Sequence, residues 1–157
     1  MKEILEKIVQ DPLFHEGTAW QRRCFSKKDQ IIKQGDPGGS LFFIEEGCLR
    51  VSEKIPIDKE KNIQAGIWEL DKNDVFGEIA LNKSQTRTAS VIALTDGCLV
   101  EVHGHALEKY LDEHPNIGYQ FYKSLFIILS DRLDRANHRV NDLFAWGLKV
   151  HDIDKHL

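Results

Sequence analysis

Between Trp20 and Val102 the chain is cut into short apolar or alternating runs, none with helical period, and this punctuation restricts the fold more than any other feature. The runs lie at residues 30–32, 41–44, 49–52, 67–70, 89–94 and 98–102. Turn-forming residues separate them: Gly35-Asp36-Pro37-Gly38-Gly39, Glu46-Gly47, Asp71-Lys72-Asn73-Asp74 and Asp96-Gly97. About eight short strands at this spacing predict an antiparallel sandwich or barrel rather than a parallel sheet. Residues 53–65 are charged and read as a long hairpin tip on the surface.

Helical period flanks this region on both sides. Ile4, Leu5 and Ile8 recur at helix spacing and predict a short N-terminal helix that stops before Pro12. After His103, residues Leu107, Tyr110 and Leu111 share a face, and His114-Pro115 ends that helix. A longer helix is predicted from about Ile117 towards Lys149. Along it Phe126, Leu133, Val140 and Gly147 occupy one heptad position, and Leu129, Ala136, Leu143 and Val150 the other. Its first half is expected to pack on its own β-domain. The heptad runs further than that packing needs, so a two-helix seam with a second copy is expected, weakened near its end by Gly147. The fold class is therefore α+β, mainly β: a jelly-roll-like antiparallel barrel over about 20–102, with a short N-terminal helix and C-terminal helices over about 105–150. Residues 1–157 read as a single domain without linker or internal repeat.

Composition removes several function classes. A net charge of -4 leaves no basic excess to neutralise nucleic-acid phosphates or anionic lipid. No apolar run reaches membrane-spanning length, and the amphipathic MKEILEKIVQ start is unlike a signal peptide. Cys24, Cys48 and Cys98 are far apart and odd in number. They match no metal spacing and read as buried or idle thiols of a cytoplasmic protein.

Residues 76–91, FGEIALNKSQTRTASV, carry the chemistry. Gly77 lets a backbone approach a ligand closely. Glu78, ionised, only accepts hydrogen bonds and so suits sugar hydroxyls. Arg87 offers a planar fork of donors that fits phosphate oxygens. Small and hydroxylic residues surround that arginine. Together they form an inventory for a phosphorylated sugar.

This run resembles the phosphate-binding cassette of the cyclic nucleotide-binding domain family, which includes the regulatory subunits of protein kinase A and the catabolite activator protein. Gly77, Glu78, Ala80, Arg87, Ala89 and Val91 all fall at the family's spacing, and QGDPGGSLFFIEEGCLRV (34–51) resembles its earlier hairpin motif, with Gly35 and Gly47 at turn positions. The resemblance extends from about Trp20 to Val140. It implies that Glu78 accepts from the ribose 2′-OH and that Arg87 pairs with the exocyclic oxygens of a cyclic phosphate. Gly77, Ile79 and Ala80 would present backbone N–H groups at the start of a helical turn. Thr88 is compatible with phosphate or guanine contact, and so with cAMP or cGMP. Asn137, within DRLDRANHRVNDL (131–143), is similar to the polar residue that the long helix of such relatives turns to the base. Phe144 and Trp146 could cap the base, although seam or core packing is their expected use. Two positions depart from the pattern: Thr86 stands where the family usually has Pro, and Ser84 where it commonly has Gly. Both predict a loop that is less pre-set.

The expectation is a non-enzymatic cyclic nucleotide sensor, cAMP or cGMP being its ligand and no cofactor or metal being required. Ligand binding would reposition the C-terminal helix before a second subunit or a downstream protein. No direct nucleic-acid contact is expected, since residues 151–157 are too short for a helix-turn-helix module. The rival expectation is a nucleotide-free protein-interaction module on the same fold. His103, His105 and Glu108 superficially resemble a cupin metal run, but Gly104 sits at a strand-to-helix changeover and argues against an inward-facing ligand set. No nucleophile–base constellation suggests catalysis.

Overall fold

The computed structural model describes residues 1–58, 61–81 and 86–150. They fall into two compact units, divided after Pro115. The first contains α1 (Lys2–Gln10), β1 (Trp20–Phe25), β2 (Gln30–Ile32), β3 (Ser40–Glu46), β4 (Leu49–Asp58), β5 (Lys61–Leu70), β6 (Val75–Phe76), β7 (Ser90–Ala93), β8 (Gly97–His103) and α2 (Gly104–Glu113). The second is built on α3 (Pro115–Val150). The mainly-β architecture with a short leading helix and a long final helix is as the periodicity predicts.

Two antiparallel four-stranded sheets form the first unit, in the orders β1-β8-β3-β6 and β2-β7-β4-β5. One apolar cluster fills the space between them and includes Phe25, Ile32, Phe42, Ile44, Leu49, Val51, Phe76, Val91 and Leu99. Ile44, Leu49 and Leu99 are fully buried, each contributing about 1.5–3 kcal/mol over its exposed state. Rows of facing residues set the register. Leu49 lies opposite Ala93 on one side and Leu70 on the other. Shifting either strand by one residue would turn these apolar groups to water.

As expected, residues 53–65 belong to the far end of a long hairpin: the β4–β5 ladder runs through them to an Asp58↔Lys61 pair. Two sequence expectations change. The two-residue strand β6 has too little sequence to show a period. Finally, Cys24 and Cys98 are joined by a disulfide, and the reading of three idle thiols is corrected. A separation of 74 residues hides the fact that β1 and β8 are neighbours and that these two residues face each other in register. Cys48 is free and half-buried, and desolvation pushes its thiol up to about 11.

Polar contacts fasten the N-terminal segment to the barrel unit. Leu5 and Ile8 of α1 are buried. Just beyond the helix, Asp11 accepts a 2.6 Å hydrogen bond from the Tyr110 hydroxyl of α2. That bond is the main cause holding the Asp11 carboxyl below its ordinary pKa. Burial and the same contact push the Tyr110 phenol up to about 12. Trp20 donates its indole N–H to the Phe14 carbonyl at 3.0 Å.

In the second unit, Gly118 and Phe121 of α3 are buried. Phe126, Leu133, Val140, Leu143, Phe144, Trp146 and Val150 are exposed. Among the described residues no helix is long and apolar enough to cross a membrane.

The cross-strand disulfide gives the first prediction. Denatured, unreduced protein should titrate one thiol, and reduced protein three. Reduction should lower Tm by roughly 10 °C or more, the scale expected from opening so long a loop. Three thiols before reduction, in protein purified and denatured without reductant, would contradict the pairing.

Candidate functional site

The 76–91 run leaves β6 at Phe76, turns at Gly77, makes one 3-10 turn over Glu78–Ala80 and returns to the sheet at β7. Gly77 has φ +84, a left-handed conformation that a side chain strains. A Cβ there would also meet the Arg87 guanidinium at 2.9 Å, the Ser40 carbonyl at 2.9 Å and the Phe42 ring at 3.0 Å. Glycine is therefore required both by backbone angle and by space. Gly104 has a similar spatial role at the start of α2. Its N–H donates to the Gly39 carbonyl at 2.7 Å. A Cβ would lie 3.0 Å from the Leu81 carbonyl, so the α2 start and the end of the 3-10 turn pack backbone to backbone.

Arg87 is the centre of the site. It is buried, with 8% of its surface exposed. Its Nη1 donates to the Ser40 carbonyl at 3.0 Å and to the Gly77 carbonyl at 3.2 Å. The guanidinium carbon lies 5.3 Å from the centroid of Phe42, which itself stacks on Phe76 at 5.0 Å. The ring faces therefore support the cation from below. Desolvation lowers the pKa of Arg87, and the charges of Glu101 and then Glu78 partly offset that shift. No ion pair joins Arg87 to a carboxylate among the described residues.

The Arg87 backbone is fixed by the hairpin motif upstream. Its N–H donates to the Asp36 carbonyl at 2.8 Å, and its carbonyl accepts from Gly35 N–H at 2.8 Å. Thr86 forms an isolated antiparallel bridge with Pro37. The GDPGG turn and the arginine thus hold each other. Ser84 lies outside the described residues.

The structure brings Gly77, Glu78, Ile79, Ala80 and Arg87 into one turn-and-strand unit. Glu78 is half-buried, while Ile79 and Thr88 are exposed. Asn137 is exposed on α3 in the second unit. His103 ends β8, Gly104 begins α2, and His105 and Glu108 lie on that helix. Among the described residues no group of three or more His, Cys, Asp or Glu side chains could hold a metal ion. Sequence reasoning missed Ser40, Phe42 and Glu101 as partners of Arg87. Only the turn preceding Ser40 carried a signal, since a carbonyl, a ring face and a distant charge have no spacing pattern.

Residues 22–114, well over half of the chain, match the family model described as the cyclic nucleotide-binding domain. The chain belongs to the cyclic nucleotide-binding domain family. Among curated relatives, it is 29% identical over 140 residues to glutaminase 1 of Bradyrhizobium diazoefficiens, a match spanning 89% of this chain and 21% of that protein. It is 25% identical over 119 residues to the CRP-like cAMP-activated global transcriptional regulator of Mycobacterium tuberculosis, covering 76% of this chain and 50% of the regulator. The chain thus spans between a fifth and a half of these relatives. Among solved structures, a cyclic nucleotide-binding domain from Methylobacillus flagellatus superposes with a TM-score of 0.71 at 24% identity, covering 88% of this chain and 80% of that one. The catabolite activator protein of Thermus thermophilus superposes at 0.64 with 24% identity, covering 85% and 63%. These two likenesses establish the fold, and the family match adds a ligand-binding regulatory domain.

The glycine at the turn supplies the second prediction. Gly77→Ala should cost roughly 1–3 kcal/mol in denaturant unfolding, from strain at positive φ and the displaced Arg87. An unfolding midpoint unchanged from wild type would show that the turn tolerates a side chain.

Proposed function

We propose that this domain binds cAMP or cGMP through the cassette and acts as a non-enzymatic regulatory sensor in the cytoplasm, requiring no cofactor. The supporting observation is Arg87: a buried guanidinium held by two carbonyls and a ring face, with no described carboxylate paired to it. A buried cation in that state calls for an anion. With Nη1 committed to Ser40 and Gly77, the Nε–Nη2 edge of the fork is the one a cyclic phosphate would meet in bidentate fashion. Glu78, at the start of the 3-10 turn, would accept from the ribose 2′-OH. The N–H groups of Gly77, Ile79 and Ala80 would face the phosphate, and Thr88 and Asn137 would complete the ligand set.

Residues 1–157 act in this reading as one functional domain. Ligand binding changes the position of α3, provided the nucleotide prefers one helix position over the other; equal affinity for both would shift nothing. The exposed Phe126, Leu133, Val140 and Leu143 recur along α3 at heptad spacing. A second copy would cover them, and the signal would pass to a separate protein partner rather than directly to nucleic acid or a membrane.

Calorimetric titration with each nucleotide tests the binding. Arg87→Ala should weaken it by about one to two decades, as loss of roughly 1.5–3 kcal/mol from a charge-assisted contact implies. Wild-type protein that binds neither nucleotide would favour the interaction-module alternative. Light scattering tests the helix seam: a dimer is expected at tens of micromolar, and a monomer there would put any self-association weaker than about -6 to -7 kcal/mol.

A further inference from the structure

The row of residues that carries Phe42 beneath Arg87 ends on a carboxylate that the proposed cassette contacts do not use. In the β1-β8-β3-β6 sheet, Phe76 lies opposite Phe42, Phe42 opposite Glu101, and Glu101 opposite Gln21. Residues paired in this way share a face of the sheet. Phe42 and Phe76 belong to the core cluster, so Glu101 and Gln21 are also on the inner face. Phe42 and Phe76 are buried, Glu101 is half-buried, and Gln21 on the edge strand is exposed. The row thus runs from closed core to open water, and Glu101 stands at the transition.

Glu101 is oriented there by its neighbour, since Gln21 donates its side-chain amide to Oε2 at 3.1 Å. The carboxylate and the Arg87 guanidinium flank the same ring, which the guanidinium carbon approaches to 5.3 Å from the centroid. Of the two carboxylates that offset the desolvation of Arg87, Glu101 has the larger effect and Glu78 the smaller. The inner face of β1 and β8 also carries Arg23, opposite Leu99, and His103, opposite Ser40. Attraction between an anion and Arg87 grows in proportion to the anion's charge. The cost of taking that charge out of water grows as its square. A carboxylate beside the arginine lowers the local positive potential, and so weighs most against an anion of high charge.

We propose that Glu101 sets the charge of the anion this site accepts, lowering the positive potential around Arg87 so that a singly charged phosphodiester binds and a doubly charged phosphomonoester is rejected. The inference rests on the proposed nucleotide function and adds to it a selectivity residue. A cyclic nucleotide carries one negative charge on its phosphate. The 5′-monophosphate formed by opening its ring keeps the same base and sugar but carries close to two at neutral pH. The two ligands differ little in size, and charge tells them apart.

Glu101→Gln keeps the shape of the side chain and removes its charge. Calorimetric titration at pH 8 would measure cAMP and cGMP, and 5′-AMP and 5′-GMP would be read by competition against them. Thermal unfolding checks folding, and Glu101→Ala is the second variant. The lost potential acts once on a single charge and twice on a double one. Cyclic nucleotides should gain roughly three- to tenfold, and the monophosphates about the square of that factor. The preference for cyclic nucleotide should therefore fall about three- to tenfold in both variants. A merely structural role would change both ligand classes by the same factor. Glu69, exposed and paired with Arg50, supplies the control: Glu69→Gln removes the same charge elsewhere and should leave the preference unchanged. Monophosphates that compete no better against the Glu101 variants than against wild type, relative to cyclic nucleotide, would overturn the inference. An equal fall in Glu69→Gln would also overturn it, because net charge rather than position would then be responsible. Wild-type protein that binds neither cyclic nucleotide would instead remove the proposed function itself.

Discussion

The placement of the Arg87 guanidinium over Phe42, bonded to the carbonyls of Ser40 and Gly77, is the constraint around which the first unit is arranged. Taking a cation out of water is costly unless its donors are met. Here the partners come from three places in the chain. Ser40 begins β3, Gly77 follows β6, and the arginine backbone is clasped by the 35–37 turn. Antiparallel pairing of β3 with β6 brings Phe42 opposite Phe76, so the carbonyl-bearing residues converge beneath the same guanidinium. Distortion of any one of these elements would leave buried donors or acceptors unpaired, at about 1–3 kcal/mol each.

That arrangement also explains the demand for glycine. The turn at Gly77 must carry the chain from β6 into the 3-10 helix at the very residue whose carbonyl accepts from the arginine. Positive φ makes the turn possible, and the missing side chain leaves the guanidinium its space. At Gly104 the same economy lets α2 start against Leu81. The cassette is thereby bounded by β3 and by a helix end, both within the first unit. A ligand that draws on Arg87 would act on contacts that already run through the barrel.

Much of this was legible in the sequence, for a physical reason. Apolar runs bounded by turn residues and helices with a 3.6-residue period leave patterns, and α1, α2, α3 and strands β2, β3, β7 and β8 lie where those patterns put them, whereas β1 coincides with none of the runs. Gly77, Glu78 and Arg87 were legible because their types and spacing are constrained by chemistry. What remained hidden depends on pairing between distant segments. The Cys24–Cys98 bond needs β1 beside β8. Ser40 acts through its carbonyl, which every residue possesses, so no side-chain pattern could announce it.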